Sequence, residues 1–180
     1  RGPGNPNTIY FGSDVLYRSS DGGATVTKVS QEPITTGQAI TAIAVAPSND
    51  NVRVVGLRNG GLFRTTNGST PLVSVDPVGA GSVIPDWFIG RIAIDPTNPD
   101  VAYVALSGFP GAGQVLFKTS NLLAATPTWT ASASGVPNVP TNAIAIDPAN
   151  SNHVYIGTDI GVFASFNAGA TWEPYGTGLP

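Results

Sequence analysis

The chain has no cysteine and no methionine, and only 11% of its residues are charged. Without thiols it can build neither a disulfide framework nor a thiolate metal site. Its eight Lys and Arg are scattered rather than grouped, and the net charge is -3. No basic stripe exists to meet phosphates, which excludes nucleic acid and anionic membrane as partners. Histidine occurs once, as His153. No Asp or Ser stands at a recognisable spacing from it, so it is read as a loop residue. No apolar stretch approaches the roughly eighteen residues of a membrane span, and no secretory leader pattern is present. Membrane insertion is therefore not expected. No segment combines helical periodicity with caps, so essentially no α-helix is expected. Nothing in the residue set implies a cofactor or a metal.

What the chain holds in quantity is glycine (22) and proline (16), together with β-branched runs. That mixture fits a turn-dense all-β protein and argues against disorder. Few lysines, many Thr, Ser, Asn and Gly, and an acidic balance point to an extracellular or cell-surface protein. A sequence that opens at Arg1 and lacks methionine reads as an internal or processed piece of a longer one.

The dominant signal is repetition. Ala143-Ile144-Ala145-Ile146-Asp147-Pro148 recurs as Arg91-Ile92-Ala93-Ile94-Asp95-Pro96 and as Ala42-Ile43-Ala44-Val45-Ala46-Pro47, with the prolines 49 and 52 residues apart. Each copy continues into a second apolar run and a third that closes on an aromatic, as in Leu62-Phe63, Leu116-Phe117 and Val162-Phe163. A truncated copy stands first. Ile9-Tyr10-Phe11-Gly12 matches the second run and Leu16-Tyr17-Arg18-Ser19 the third, and the first run is absent. A period of about 50 residues with three or four short β-runs predicts a β-propeller of antiparallel blades. The spans expected are 1–38 (incomplete), 39–88, 89–139 and 140–180, all within one propeller segment. The Ile-Ala-Ile runs are apolar on both faces and alternate bulk with small size. They are expected to form the innermost strands, where neighbouring sheets converge.

After the third run comes a turn motif. Ser19-Ser20-Asp21-Gly22-Gly23-Ala24-Thr25 matches Ser165-Phe166-Asn167-Ala168-Gly169-Ala170-Thr171-Trp172. An Asp or Asn side chain can accept hydrogen bonds from the N–H groups of its own turn, and glycine supplies positive φ. This pattern resembles the Asp-box, or bacterial neuraminidase repeat. Thr65-Thr66-Asn67 keeps only its start, and Thr119-Ser120-Asn121 with Thr128-Trp129 is a stretched version. The resemblance covers nearly the whole chain and is closest to xyloglucanase-type and uncharacterised secreted bacterial propellers, with sortilin-like receptors and photosystem assembly factors in the same class. Such propellers have more blades than the four counted here. The resemblance thus implies that the open flanks are covered by the remainder of a longer chain, by self-association of two arcs, or by closure of a four-bladed ring. A self-assembling arc in a ring or fibre is a minor further reading.

The candidate functional residues lie where the copies diverge. In an up-and-down blade the loops between strands two and three emerge on the same rim as those between strand four and the next blade. Asp14, Arg58, Asp86, Trp87 and Asp159 are expected to line a ligand-binding rim there, for a carbohydrate or a protein. Exposed aromatic rings beside carboxylates suit sugars, whose C–H faces stack while their hydroxyls hydrogen-bond. The competing reading has Trp87 plugging a blade interface. Asp95 and Asp147 are read as turn caps rather than a carboxylate pair or a calcium loop. Asp21 and Asn167 are read as structural. Arg18, Arg64 and Lys118 share one repeat position and are read as a solvated strand face or inter-blade pairs rather than a ligand ladder.

No catalytic residues are assigned. A sialidase needs an Arg-Ile-Pro motif, and here Arg91-Ile92 runs into Ala93. Glycoside hydrolysis of the other kind needs two carboxylates roughly 5–10 Å apart, and no spacing singles out an acid and a base. The functional expectation is a non-catalytic structural or binding module. The alternative is a portion of a polysaccharide-degrading, xyloglucanase-like hydrolase.

Overall fold

The computed structural model describes residues 4–176 of the chain, which form four antiparallel sheets joined by turns, with no helix among them. The first sheet has three strands, β1 (Ile9–Gly12), β2 (Leu16–Ser19) and β3 (Thr27–Lys28), in that spatial order. The second orders β4 (Ile40–Ala46), β5 (Asn49–Leu57), β6 (Leu62–Thr65) and β7 (Val73–Asp76). The third holds β8 (Ile89–Ile94), β9 (Ala102–Leu106), β10 (Leu116–Thr119) and β11 (Thr130–Ala131). The fourth holds β12 (Thr141–Ile146), β13 (Val154–Thr158), β14 (Gly161–Ser165) and β15 (Glu173–Pro174). Each sheet follows chain order strand by strand, the up-and-down arrangement of propeller blades.

The Ile-Ala-Ile runs are the first strands of the last three sheets, and they touch one another across sheets: β4 packs on β8, and β8 on β12. The core therefore lies between sheets rather than within one. Leu16, Ile34, Val55 and Leu57 fill the first junction. Ala44, Val54, Ile89, Ile92, Val104 and Trp129 belong to the second. Tyr103, Leu116, Ile144, Ile156 and Trp172 belong to the third. A fully buried Leu or Ile contributes about 1.5–3 kcal/mol, so each junction is held chiefly by apolar burial.

Close approach depends on glycine in the second strand. A Cβ on Gly12 would stand 2.7 Å from the Ile40 side chain, and one on Gly56 would stand 2.5 Å from that of Ile89. Ile40 and Ile89 are the first residues of β4 and β8, just before a register shift that recurs in all three inner strands. The bulge residues are Thr41, Gly90 and Asn142. The first two junctions thus seat the entry residue of one sheet in the glycine socket of the sheet before it, and at the third the socket position is Ala105.

Strand three supplies a second tie. Arg18 pairs with Asp50 of the next sheet at 2.7 Å. Arg64 donates to the Ala124 carbonyl and Lys118 to the Ala168 carbonyl, at 2.9 and 2.7 Å. All three cross a junction, so the shared repeat position is an inter-sheet clamp. In the fourth sheet that position is Ala164, which pairs with Tyr155 as Lys118 pairs with Tyr103.

Candidate functional site

The two rims of the array differ in how they are built. On one, the turn after strand three hydrogen-bonds to the loop between strands one and two. Gly22 donates to the Asn7 carbonyl, Gly68 to Asn51, Leu122 to Asp100 and Ala168 to Asn152, at 2.8 to 3.0 Å. The Asp or Asn of each turn is saturated by its own backbone. Asp21 accepts from Thr25 N and Oγ1 at 2.9 and 2.6 Å. Asn167 accepts from Thr171 N at 2.9 Å, and Asn121 from Thr128 N at 2.9 Å across the longer loop. Bonds from the Thr25 hydroxyl and amide hold the Asp21 carboxyl down to about 2. Asp95 is spent in the same way. Burial pushes its carboxyl up, but bonds from Ser151, Thr97 and Asn98 outweigh that and lower it. Asp147 caps Ala149 N at 2.8 Å, with the His153 ring 3.6 Å away. These carboxylates cap their own turns.

The opposite rim carries the loops between strands two and three, with the segments that lead into each inner strand. Arg58 N donates to the Ala39 carbonyl, Ser107 N to Phe88 and Asp159 N to Pro140, at 3.0, 2.9 and 3.2 Å. One backbone bond therefore anchors each divergent loop beside the entry of its own inner strand. The long 77–88 connector is pinned by Asp76, whose buried carboxylate accepts from Val83 N and Ile84 N at 3.0 and 3.1 Å. Burial raises the Asp76 carboxyl in spite of those bonds.

The connector ends on the second and third sheets. A Cβ on Gly60 would stand 2.7 Å from Asp86 Cα, and one on Gly108 would stand 2.6 Å from the Trp87 ring. The Arg58–Gly60 turn thus abuts Asp86, and the Trp87 indole lies on Gly108. Trp87 is 43% exposed, Phe88 41% and Phe109 60%, so three aromatic residues next to or against Gly108 in sequence or space are exposed. Asp86 accepts from Gly79 N at 2.8 Å and is otherwise open to solvent.

Asp159 belongs to the same rim one sheet further on. It accepts from Asn142 Nδ2 at 2.8 Å, and Asn142 Oδ1 accepts from Ser107 Oγ, next to Gly108. Asp14 is exposed on the first sheet. Its carboxylate accepts only from Ser13 Oγ at 2.9 Å, and its carbonyl from Ile34 N at 2.9 Å. The turn that carries Arg58 therefore adjoins Asp86 and Trp87 through Gly60, Asp159 connects to Ser107 through Asn142, and Asp14 makes no hydrogen bond to the others. Gly60, Gly108, Ser107 and Asn142 were not singled out as site residues by sequence. Asn142 had a usable signal, because the same repeat position is Thr41 or Gly90 in the other inner strands.

The rim offers flat apolar rings, carboxylate acceptors and one guanidinium, a set suited to a polar ligand with an apolar face. No group of three or more His, Asp or Glu that could hold a metal occurs among the described residues.

No protein-family model matches the chain, and no curated protein matches it. Solved structures do. An ancestral GH74 enzyme superposes with a TM-score of 0.72 and 25% identity over 98% of this chain and 23% of its own. The GH74 xyloglucanase from Xanthomonas campestris gives 0.66 and 19%, over 97% and 29%. YCF48 from Cyanidioschyzon merolae gives 0.67 and 16%, over 94% and 53%. The chain is an all-β array of β-propeller blades, and it spans between about a quarter and a half of the length of these neighbours.

Proposed function

We propose that the chain is an arc of an Asp-box β-propeller, acting as a non-catalytic structural or binding module of an extracellular or cell-surface protein. Its blades run at about 1–38 (incomplete), 39–88, 89–139 and 140–180, and polypeptide beyond them or self-association completes the ring. Its ligand is a carbohydrate or a protein bound on the divergent rim by Asp14, Arg58, Asp86, Trp87 and Asp159. The observation that carries this is the Trp87 ring against Gly108, with Trp87, Phe88, Phe109 and Asp86 all exposed. The saturation of the Asp and Asn side chains in the other rim supports the division of labour.

A second reading is an arc of a polysaccharide-degrading hydrolase, favoured by the likeness to GH74 structures over almost the whole chain. Calorimetric titration with xyloglucan oligosaccharides tests the rim that both readings share. Binding is expected, and Trp87→Ala is expected to abolish it at an unchanged thermal midpoint. Unchanged binding in that variant removes the site. Release of chromophore from a chromogenic β-glucan by the 180-residue chain favours the hydrolase.

A further inference from the structure

The turn after strand three carries Asp21, Asn67, Asn121 and Asn167 at one repeat position, and the four side chains are used differently. Asn167 employs both ends of its amide, accepting from Thr171 N and donating from Nδ2 to Thr171 Oγ1 at 2.8 Å. Asn67 employs only the oxygen. Its Oδ1 accepts from Thr65 Oγ1 at 3.1 Å, from Ser69 N at 3.0 Å and from Ser69 Oγ at 2.6 Å. Its Nδ2 makes no hydrogen bond among the described residues.

The residues that follow set Asn67 apart as well. Asn67-Gly68-Ser69 is the only place in the chain where Asn stands two residues before Ser or Thr with a residue other than proline between them. Asn121 is followed by Leu122-Leu123 and Asn167 by Ala168-Gly169, so neither has the hydroxyl. That triplet is the one an asparagine-directed oligosaccharyltransferase reads, and it does so on surface loops of exported chains. Asn67 and Ser69 are both exposed. The turn is fastened from the other side, where Gly68 N donates to the Asn51 carbonyl at 3.0 Å and a Cβ on Gly68 would stand 2.6 Å from Asn51 Oδ1. Nothing that holds the turn passes through Asn67 Nδ2.

We infer that Asn67 is an N-glycan acceptor, modified on Nδ2 and placed on the rim opposite the divergent loops. This rests on reading the chain as extracellular or cell-surface. The donor is an oligosaccharide linked to a lipid pyrophosphate. Its sugar C1–O bond breaks as the C1–Nδ2 bond forms, the pyrophosphate leaves with the electron pair, and Nδ2 gives up one proton to solvent. Oδ1 remains an amide oxygen, so its three hydrogen bonds survive the change. The glycan then stands on the rim of capped turns and leaves Arg58, Asp86 and Trp87 clear.

The test expresses the 180-residue chain behind a secretory leader in a eukaryotic host and reads intact mass on protein from cells and medium alike. Expected is a single N-glycan, removed by peptide N-glycosidase in heavy-oxygen water with conversion of Asn67 to labelled aspartate. Ser69→Thr is expected to keep the glycan, and Ser69→Ala and Asn67→Gln to lose it entirely. The thermal midpoint is expected to be the same before and after removal of the glycan. An unmodified mass, a glycan that persists in Ser69→Ala, or a midpoint lowered by the glycan overturns the inference. Because the leader is supplied, these masses do not depend on where the chain natively resides, so a native chain found inside the cell would remove the extracellular reading alone. Oligosaccharide binding to the unmodified chain tests the divergent rim separately.

Discussion

The Tyr103 hydroxyl of the third sheet donates to the Ala168 carbonyl of the fourth at 2.9 Å. Lys118 Nζ donates to the same oxygen at 2.7 Å and lies 5.5 Å from the Tyr103 ring centroid. Burial raises the Tyr103 hydroxyl and lowers the Lys118 ammonium, as desolvation requires. A turn of one sheet is thereby fastened to strands two and three of its neighbour. Tyr103→Phe and Lys118→Met are each expected to cost about 1 kcal/mol. The double variant is expected to cost more than their sum, because only then is the carbonyl left without either donor. Urea denaturation of the four proteins checks this, and strict additivity would mean the two bonds act independently.

The glycine sockets separate occupied from open junctions. Gly56→Ala drives a methyl into Ile89 at 2.5 Å and is expected to destabilise by about 1–3 kcal/mol through overpacking. Gly157→Ala in the fourth sheet meets only the exposed Ala143 side chain, at 3.2 Å, and is expected to stay within about 0.5 kcal/mol of the parent. Similar losses in both variants, measured by denaturant midpoint, would contradict the junction geometry.

Asp21 makes the first sheet sensitive to acid. Its carboxyl is held at about 2 against a reference of 3.8, so the unfolded chain takes up the proton first as pH falls. The stabilisation is complete above about 4 and is lost as pH drops through about 2. Asp21→Asn is expected to keep the turn, as Asn167 does in the fourth sheet, and to remove this pH dependence. Thermal midpoints from pH 5 down to 2 provide the check.

Much of the fold was legible because repetition reveals itself. Three copies of an Ile-Ala-Ile strand and four turn motifs locate the sheets without reference to propensity, and the truncated first copy is the three-stranded sheet. The clamp role of Arg18, Arg64 and Lys118 was not decided by sequence. A cation on a strand reads alike whether its partner is solvent or the next sheet, and two of the three partners are backbone carbonyls, which carry no sequence signature. The rim was legible only as a set of divergent loops. The approach of Asp86 and Trp87 to Gly60 and Gly108 depends on the path of the 77–88 connector, fixed by Asp76. Such packing leaves little trace in a single sequence.

That packing gives a way to disturb the rim without touching its polar groups. Gly108→Val puts its Cβ where the Trp87 ring lies, and the backbone there needs no left-handed conformation. The ring must move. Loss of oligosaccharide binding with an unaltered thermal midpoint is expected, read by titration and by Trp fluorescence. Full binding with a displaced indole would mean that Trp87 plays no part.

The central claim is that the four sheets stand side by side, each inner strand seated on the second strand of the sheet before it. Methyl-resolved NOE spectroscopy tests this most directly. The account predicts cross-peaks from the Ile40 methyls to Gly12 Hα and from the Ile89 methyls to Gly56 Hα. Absence of both, with the within-sheet Ile92–Val104 contact retained, would mean that the sheets form but do not stack.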